Sequence, residues 1–347
     1  MTGYFPRRTV LRTIGLGGLA LAGGVTAASA KPLSADSLPE VLYEFAPPNP
    51  DEGFPGELPE NVAVDRRGTK FVSVPSLGQI WTFSPENELV GAPFTQFETS
   101  GAFLVGVTGL EADPNGSVFA CFASDLDTVG GSATNGVWTV DRDGEPTLLA
   151  ELPPDDYDGL TFPNDLTLFG DSVLVTDSFR GVVYRVGADG TAEVWVDSGL
   201  LDPDGGFGAN GIAVGKDGTV YVANLDQGRI VEIPVGKDGS AGEPDTFVQS
   251  EELIGADGLA FDTRGSLYVA VNAQNAIRRV SPDGEIETLA ENGLDGVEEF
   301  DFPADVTFGT SRGEQKSVFI PNLAFSADPY PTLMKLDVGV PGLPIHR

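Results

Sequence analysis

Ala209-Asn210-Gly211-Ile212-Ala213-Val214-Gly215-Lys216-Asp217-Gly218-Thr219-Val220-Tyr221-Val222-Ala223 holds two short alternating runs joined by a turn centred on Gly218. Two more runs follow, Arg229-Ile230-Val231-Glu232-Ile233 and Asp245-Thr246-Phe247-Val248, separated by a second turn at Asp238-Gly239. β-Branched and aromatic residues at period two, punctuated by Gly and Asp, specify strands, and helical periodicity is nearly lacking. The unit therefore reads strand, turn, strand, loop, strand, turn, strand.

Working outward, the first turn recurs at Gly68, Gly116, Gly265 and Gly313, at a spacing of roughly 48 residues. The double interval between Gly116 and Gly218 leaves room for one more unit, whose turn is Phe169-Gly170-Asp171-Ser172. Glu86-Asn87, Asp143-Gly144, Asp189-Gly190 and Asp283-Gly284 repeat the second turn. Six such units of four strands predict an all-β fold, a six-bladed β-propeller of four-stranded blades. The sixth unit supplies strands at 305–308, 317–320 and 332–336 and no fourth, whereas residues 41–46 resemble the fourth strands at 192–196 and 286–290. This N-terminal strand is expected to complete the last blade and close the ring, which removes two exposed edges. Residues 31–347 then form a single propeller domain.

A polar pair opens each unit: Glu60-Asn61, Thr108-Gly109, Asn164-Asp165, Asn210-Gly211, Asp257-Gly258 and Ala304-Asp305. Innermost strands converge on the axis of a propeller, so Glu60, Asn164, Asn210 and Asp257 can meet around one ion despite their separation in sequence. Two carboxylates and two carboxamide oxygens balance a divalent cation, Ca²⁺ first, with Mg²⁺ or Mn²⁺ as alternatives. Thr108 can add a hydroxyl or hold a water, and Ala304 cannot contribute. Asn61, Asp165 and Asp305 either orient these ligands, build a second, structural Ca²⁺ site, or bond turns. Asp177, Asn224, Asp226 and Asn272, near the ends of second strands, read as pocket lining or loop caps. Asp125 and Asp127 sit in the long interblade loop 124–135, where they read first as surface-solvating acids; Gly130-Gly131 suggests a flexible lid as the alternative.

Composition narrows the partners. Asp and Glu number 52 against 20 Lys and Arg. No basic surface exists to displace the counterions of a nucleic acid. Acidic residues throughout, with few lysines, suggest a halophilic protein whose self-repulsion is screened by concentrated salt. Arg7-Arg8 precede a short Gly-broken apolar run and Ala28-Ser29-Ala30, so residues 1–30 read as a Tat-type signal peptide cleaved after Ala30. Its loss takes the net charge to about −35 and leaves an exported chain without a stable membrane anchor. Cys121 is the sole cysteine and His346 the sole histidine, which excludes a disulfide and a Cys/His zinc site. A closed ring has no free edges, so a monomer is expected.

Glu60 in the first unit, Asn210 in Ala-Asn-Gly and Asp257 in Ala-Asp-Gly-Leu-Ala-Phe-Asp together resemble the SMP-30/gluconolactonase/LRE family of six-bladed propellers. The resemblance spans roughly residues 38–338. It implies that Glu60, Asn210 and Asp257 bind a catalytic divalent metal and that Asp257 also transfers a proton. Pro163-Asn164-Asp165 is similar to the paired calcium ligands of related paraoxonases, which implies Asn164 as a fourth ligand. The His dyad of paraoxonase-type lactonases is missing, and Gly106 and Thr108 stand where sugar-lactone members carry a substrate-binding Arg and Asn. The expected activity is hydrolysis of a lactone or related ester by carboxylate-assisted water attack on a metal-polarised carbonyl. Two alternatives stand beside it: a non-catalytic, calcium-stabilised propeller for ligand or protein binding, and a strictosidine-synthase-like enzyme using Glu298 or Glu299.

Overall fold

A computed structural model describes residues 38–99, 105–114, 116–124, 134–152, 161–294, 297 and 299–344. Residues 1–30, expected to be a signal peptide, and Asp125, Asp127, Gly130-Gly131, Glu298 and His346 lie outside the described residues. Six four-stranded antiparallel sheets follow one another along the chain. Their first strands are Val62–Val64, Gly106–Ala112, Pro163–Phe169, Ala209–Val214, Ala256–Phe261 and Thr307–Phe308. Each of these contacts the first strand of the next blade in a closed cycle, so they are the inner strands and the fold is a six-bladed propeller.

Tight turns carry the repeat. Gly68, Gly116, Gly218 and Gly265 all have φ near +89°, where only glycine is unstrained. Apolar cores lie between adjacent blades: Leu166, Val173 and Val175 of blade three, for example, pack on Cys121 and Val137 of blade two. Cys121 is fully buried, and desolvation with nearby Asp165 pushes its thiol well up, which keeps it protonated and inert.

The last blade is completed by Glu40–Glu44, which pairs antiparallel with Thr332–Asp337. Tyr43 and Phe45 then pack on Trp81 and Phe83 of blade one, with ring centroids 5.2–6.2 Å apart. A buried ion pair crosses the same seam, Lys70 Nζ to Glu314 at 2.9 Å. Two sequence expectations are corrected. The inner strand of blade six is only Thr307–Phe308, because Ala304 and Asp305 spend their polar groups on neighbouring blades: Ala304 O accepts from Gly258 N and Asp305 Oδ2 from Val62 N. Residues 124–135 join Val118–Ala123 to Gly136–Val140 within blade two, so the loop is not an interblade connection.

Candidate metal and substrate site

In a regular strand, consecutive side chains point to opposite faces, so only one residue of each polar pair should face the axis. A β-bulge changes that. Register shifts between Val107 and Leu110, Pro163 and Leu166, Ala209 and Ile212, and Ala256 and Leu259 set each pair against a single residue of the second strand. Blade one does the same around Ser73, whose carbonyl accepts from Glu60 N while its hydroxyl accepts from Asn61 N at 2.9 Å. Both members of a pair are thus released from the alternation.

The first members form the upper ring. Asp257 Oδ2 accepts from Asn272 Nδ2 at 3.0 Å, and Asn210 also bonds the Asp257 carboxylate. Asn164 Nδ2 donates to Ser178 Oγ at 2.9 Å, which turns the amide end toward Ser178. Thr108 Oγ1 donates to Pro163 O at 2.8 Å, tying blade two to blade three. Burial pushes the Glu60 carboxyl well above its ordinary range, and the charge of Asp257 raises it further. Asp257 is raised in the same way, by burial and then by Asp305.

Second members join blades. Asn61 Oδ1 accepts from Leu110 N at 3.0 Å, Asp165 Oδ2 from Ile212 N at 3.0 Å and Asp305 Oδ2 from Val62 N at 3.1 Å. Asn61 Nδ2 also reaches Asp165 Oδ1 at 3.3 Å. The remaining second members are glycines, because a Cβ on Gly211 would collide with the Asp257 carbonyl and one on Gly258 with the Asp305 carboxylate. Among the second-strand candidates, Asn272 alone reaches the ring. Asp177 caps Phe162, Phe179 and Arg180 amides, Asn224 holds the Leu200 and Asp202 carbonyls, and Asp226 takes the Asp204 and Gly206 amides. Glu299 is exposed on a loop.

Below these rings lies a cavity of about 150 Å³, lined three residues past each motif by Ala63, Glu111, Thr167, Ala213, Ala260 and Thr307. Leu343 of the C-terminal segment also lines it, with its amide on Phe261 O. Sequence reasoning alone misses Glu111, although comparing the six units at that offset exposes it as the one charged residue. Burial, then Asp165 and Asp305, pushes Glu111 up to about 8. Asp165 rises to about 8 and Asp305 to about 6, chiefly through burial.

Does this ring fit a cation? Glu60 Oε2 and Asn210 Oδ1 are enclosed with no hydrogen-bond partner among the described residues, a costly state for acceptors. Two buried carboxyls, both pushed well above their ordinary range, with an orphaned oxygen on Glu60 and another on Asn210, make a donor set short of positive charge, so the residues fit a hard divalent ion. Among the described residues no three His, Cys, Asp or Glu side chains form a metal-binding cluster; the set here is two carboxylates and two carboxamides.

Solved structures share this architecture. A regucalcin described as a calcium-binding protein, from Agrobacterium tumefaciens, superposes with a TM-score of 0.64 at 17% identity, covering 90% of this chain and 98% of its own. A gluconolactonase from Xanthomonas campestris gives 0.60 at 17%, covering 92% and 96%. A virginiamycin B lyase from Staphylococcus aureus gives 0.52 at 14%, covering 80% of each. No curated protein matches the chain. At these identities the likeness establishes the fold. The model of the SMP-30/gluconolactonase/LRE-like region matches residues 108–293, more than half of the sequence and three of the four ring residues, and the chain belongs to that family.

Proposed function

We propose that the protein is an exported, divalent-metal-dependent hydrolase of a lactone or related ester, secreted by the Tat route as a monomer adapted to high salt. The observation that carries this reading is the pair of orphaned oxygens, Glu60 Oε2 and Asn210 Oδ1, in a ring whose two carboxyls, Glu60 and Asp257, are both disfavoured in their charged form by burial and neighbouring acids. Glu60, Asn164, Asn210 and Asp257 would hold the ion, Ca²⁺ first. When bound, it supplies the positive charge that polarises a substrate carbonyl and lowers the cost of deprotonating water. Asp257, its Oδ2 fixed by Asn272, takes the proton from the attacking water and returns it to the leaving alkoxide. Water adds to the carbonyl carbon, the ring or ester C–O bond breaks, and a hydroxy acid, or an acid and an alcohol, results. A strained lactone or activated ester suits this set, which offers no Ser, Cys or His nucleophile.

The test is turnover of a panel of lactones and aryl esters in high salt, with and without chelator. Chelation, Asp257→Ala and Glu60→Gln should each remove activity by more than about 100-fold, and Asn272→Ala should lower kcat by about tenfold. Activity surviving both chelation and Asp257→Ala overturns the mechanism. A chelator-sensitive Tm with no turnover supports instead a calcium-stabilised binding propeller.

A further inference from the structure

Phe162, Phe179 and Phe207 stack on one another on the face of the ring where Asn164 and Asn210 stand. Their centroids are 5.2 Å apart for 162 and 179, 5.5 Å for 162 and 207, and 5.2 Å for 179 and 207. Phe162 precedes Asn164 by two residues, Phe207 precedes Asn210 by three, and Phe179 follows the end of the second strand of blade three. All three segments hang on Ser178. Its amide donates to Phe162 O, its carbonyl accepts from Gly208 N, and its hydroxyl accepts from Asn164 Nδ2 while donating to Ala209 O. The clasp that aims the Asn164 carboxamide therefore also sets the aromatic stack.

The stack is not needed to build the sheets. Among the described residues these rings belong to none of the interblade cores. Phe162 is buried, whereas Phe179 and Phe207 keep part of their surface in solvent. Exposed aromatic surface that the fold does not require marks a contact site.

Charge on the same face is one-sided. The connections on this face are those entering the first strands and those joining second to third strands, and in all of them the only Lys or Arg is Arg180. Its guanidinium is committed to Tyr184, with Nη1 to the phenol oxygen at 2.8 Å. Of the basic residues on strands, Arg229 and Arg278 reach this face, where Arg229 Nη1 donates to Leu200 O at 3.1 Å and Arg278 Nη1 pairs with Glu291 at 2.6 Å, while the face carries acids such as Asp202, Asp204, Glu251 and Glu252. An anionic ligand would meet more acids than bases here, and Arg180, Arg229 and Arg278 already bond Tyr184, Leu200 O and Glu291.

We propose that Phe162, Phe179 and Phe207 form an apolar subsite beside Asn164 and Asn210 that takes the hydrocarbon body of a lactone or ester carrying no anionic group. This names the substrate class for the hydrolase reading and rests on it; a polyhydroxylated sugar lactone would leave its hydroxyls facing phenyl rings.

The experiment measures kcat/KM in high salt for γ-lactones with lengthening alkyl chains, against glucono-δ-lactone and a carboxylate-bearing lactone. The wild type should gain about fourfold per added methylene until the rings are covered. Phe207→Ala and Phe179→Ala, each checked for folding by circular dichroism, should flatten that slope. Phe169→Ala, a ring packed on Trp195 at the other end of blade three, should leave it intact. Calorimetry with 2-pentylcyclopentanone, which cannot be hydrolysed, reads the subsite alone and should show weaker binding in Phe207→Ala. Ketone binding that depends on Phe207 without lactone turnover removes the hydrolase reading and keeps the subsite. Turnover with no chain-length dependence, or with preference for glucono-δ-lactone or the carboxylated lactone, removes the subsite and leaves the hydrolase.

Discussion

Glu111 shows what a single side chain does inside a narrow acidic channel. Burial and two neighbouring acids hold its carboxyl at about 8. The folded protein therefore keeps a proton there that the unfolded chain, titrating near 4.5, gives up earlier. Stability from this group is complete below the unfolded value, declines as pH rises toward 8, and levels off above it. Glu111→Gln removes the titration. In chelator, its Tm should exceed that of wild type by several degrees at high pH and match it near pH 4, read by thermal melts across pH. An equal pH dependence in both proteins would mean that Glu111 titrates normally. The upper ring is legible in the sequence because its polar residues sit in matching turns. Glu111 is not, because it lies within a strand where alternation suggests nothing unusual.

At the scale of the element, the device is the bulge. It turns a dipeptide into two axis-facing positions, one for the upper ring and one for joining blades. Register counting from the sequence finds the motif but not the bulge, since period-two alternation assigns neighbours to opposite faces. The glycines in three second positions are the available clue, and only the packing explains them. Gly211→Ala drives a methyl group against the Asp257 carbonyl. It should cost about 2–3 kcal/mol of stability and reduce kcat/KM at least about tenfold by displacing Asp257. Gly218→Ala, at φ +88° in open space, should cost about 1 kcal/mol from backbone strain alone and leave kinetics unchanged. Denaturant melts and initial rates on the two variants separate these outcomes.

For the whole molecule, the ring is held shut by the strand that begins it. The repeat count and the missing fourth strand of unit six make this closure readable in the amino-acid sequence. Phe45, buried among Tyr43, Trp81 and Phe83, should cost about 3–5 kcal/mol when replaced by alanine. Deleting residues 31–46 should abolish cooperative unfolding altogether, because blade six loses its outer strand and blade one its packing partner. With a net charge of −32 over the full sequence, the fold should also loosen in dilute buffer. Circular dichroism that is unchanged between molar salt and low salt would contradict this. The same architecture carries a gluconolactonase and a virginiamycin B lyase, so chemistry has to be read from the ring and not from the propeller.

The bonds from Asn61, Asp165 and Asp305 each place an acceptor on one blade and its amide on another, at Leu110, Ile212 and Val62. With Gly258 N donating to Ala304 O between blades five and six, no petal can swing away alone. Deuterium should consequently enter these three amides at one common, very slow rate, set by rupture of the entire wheel and not by local breathing.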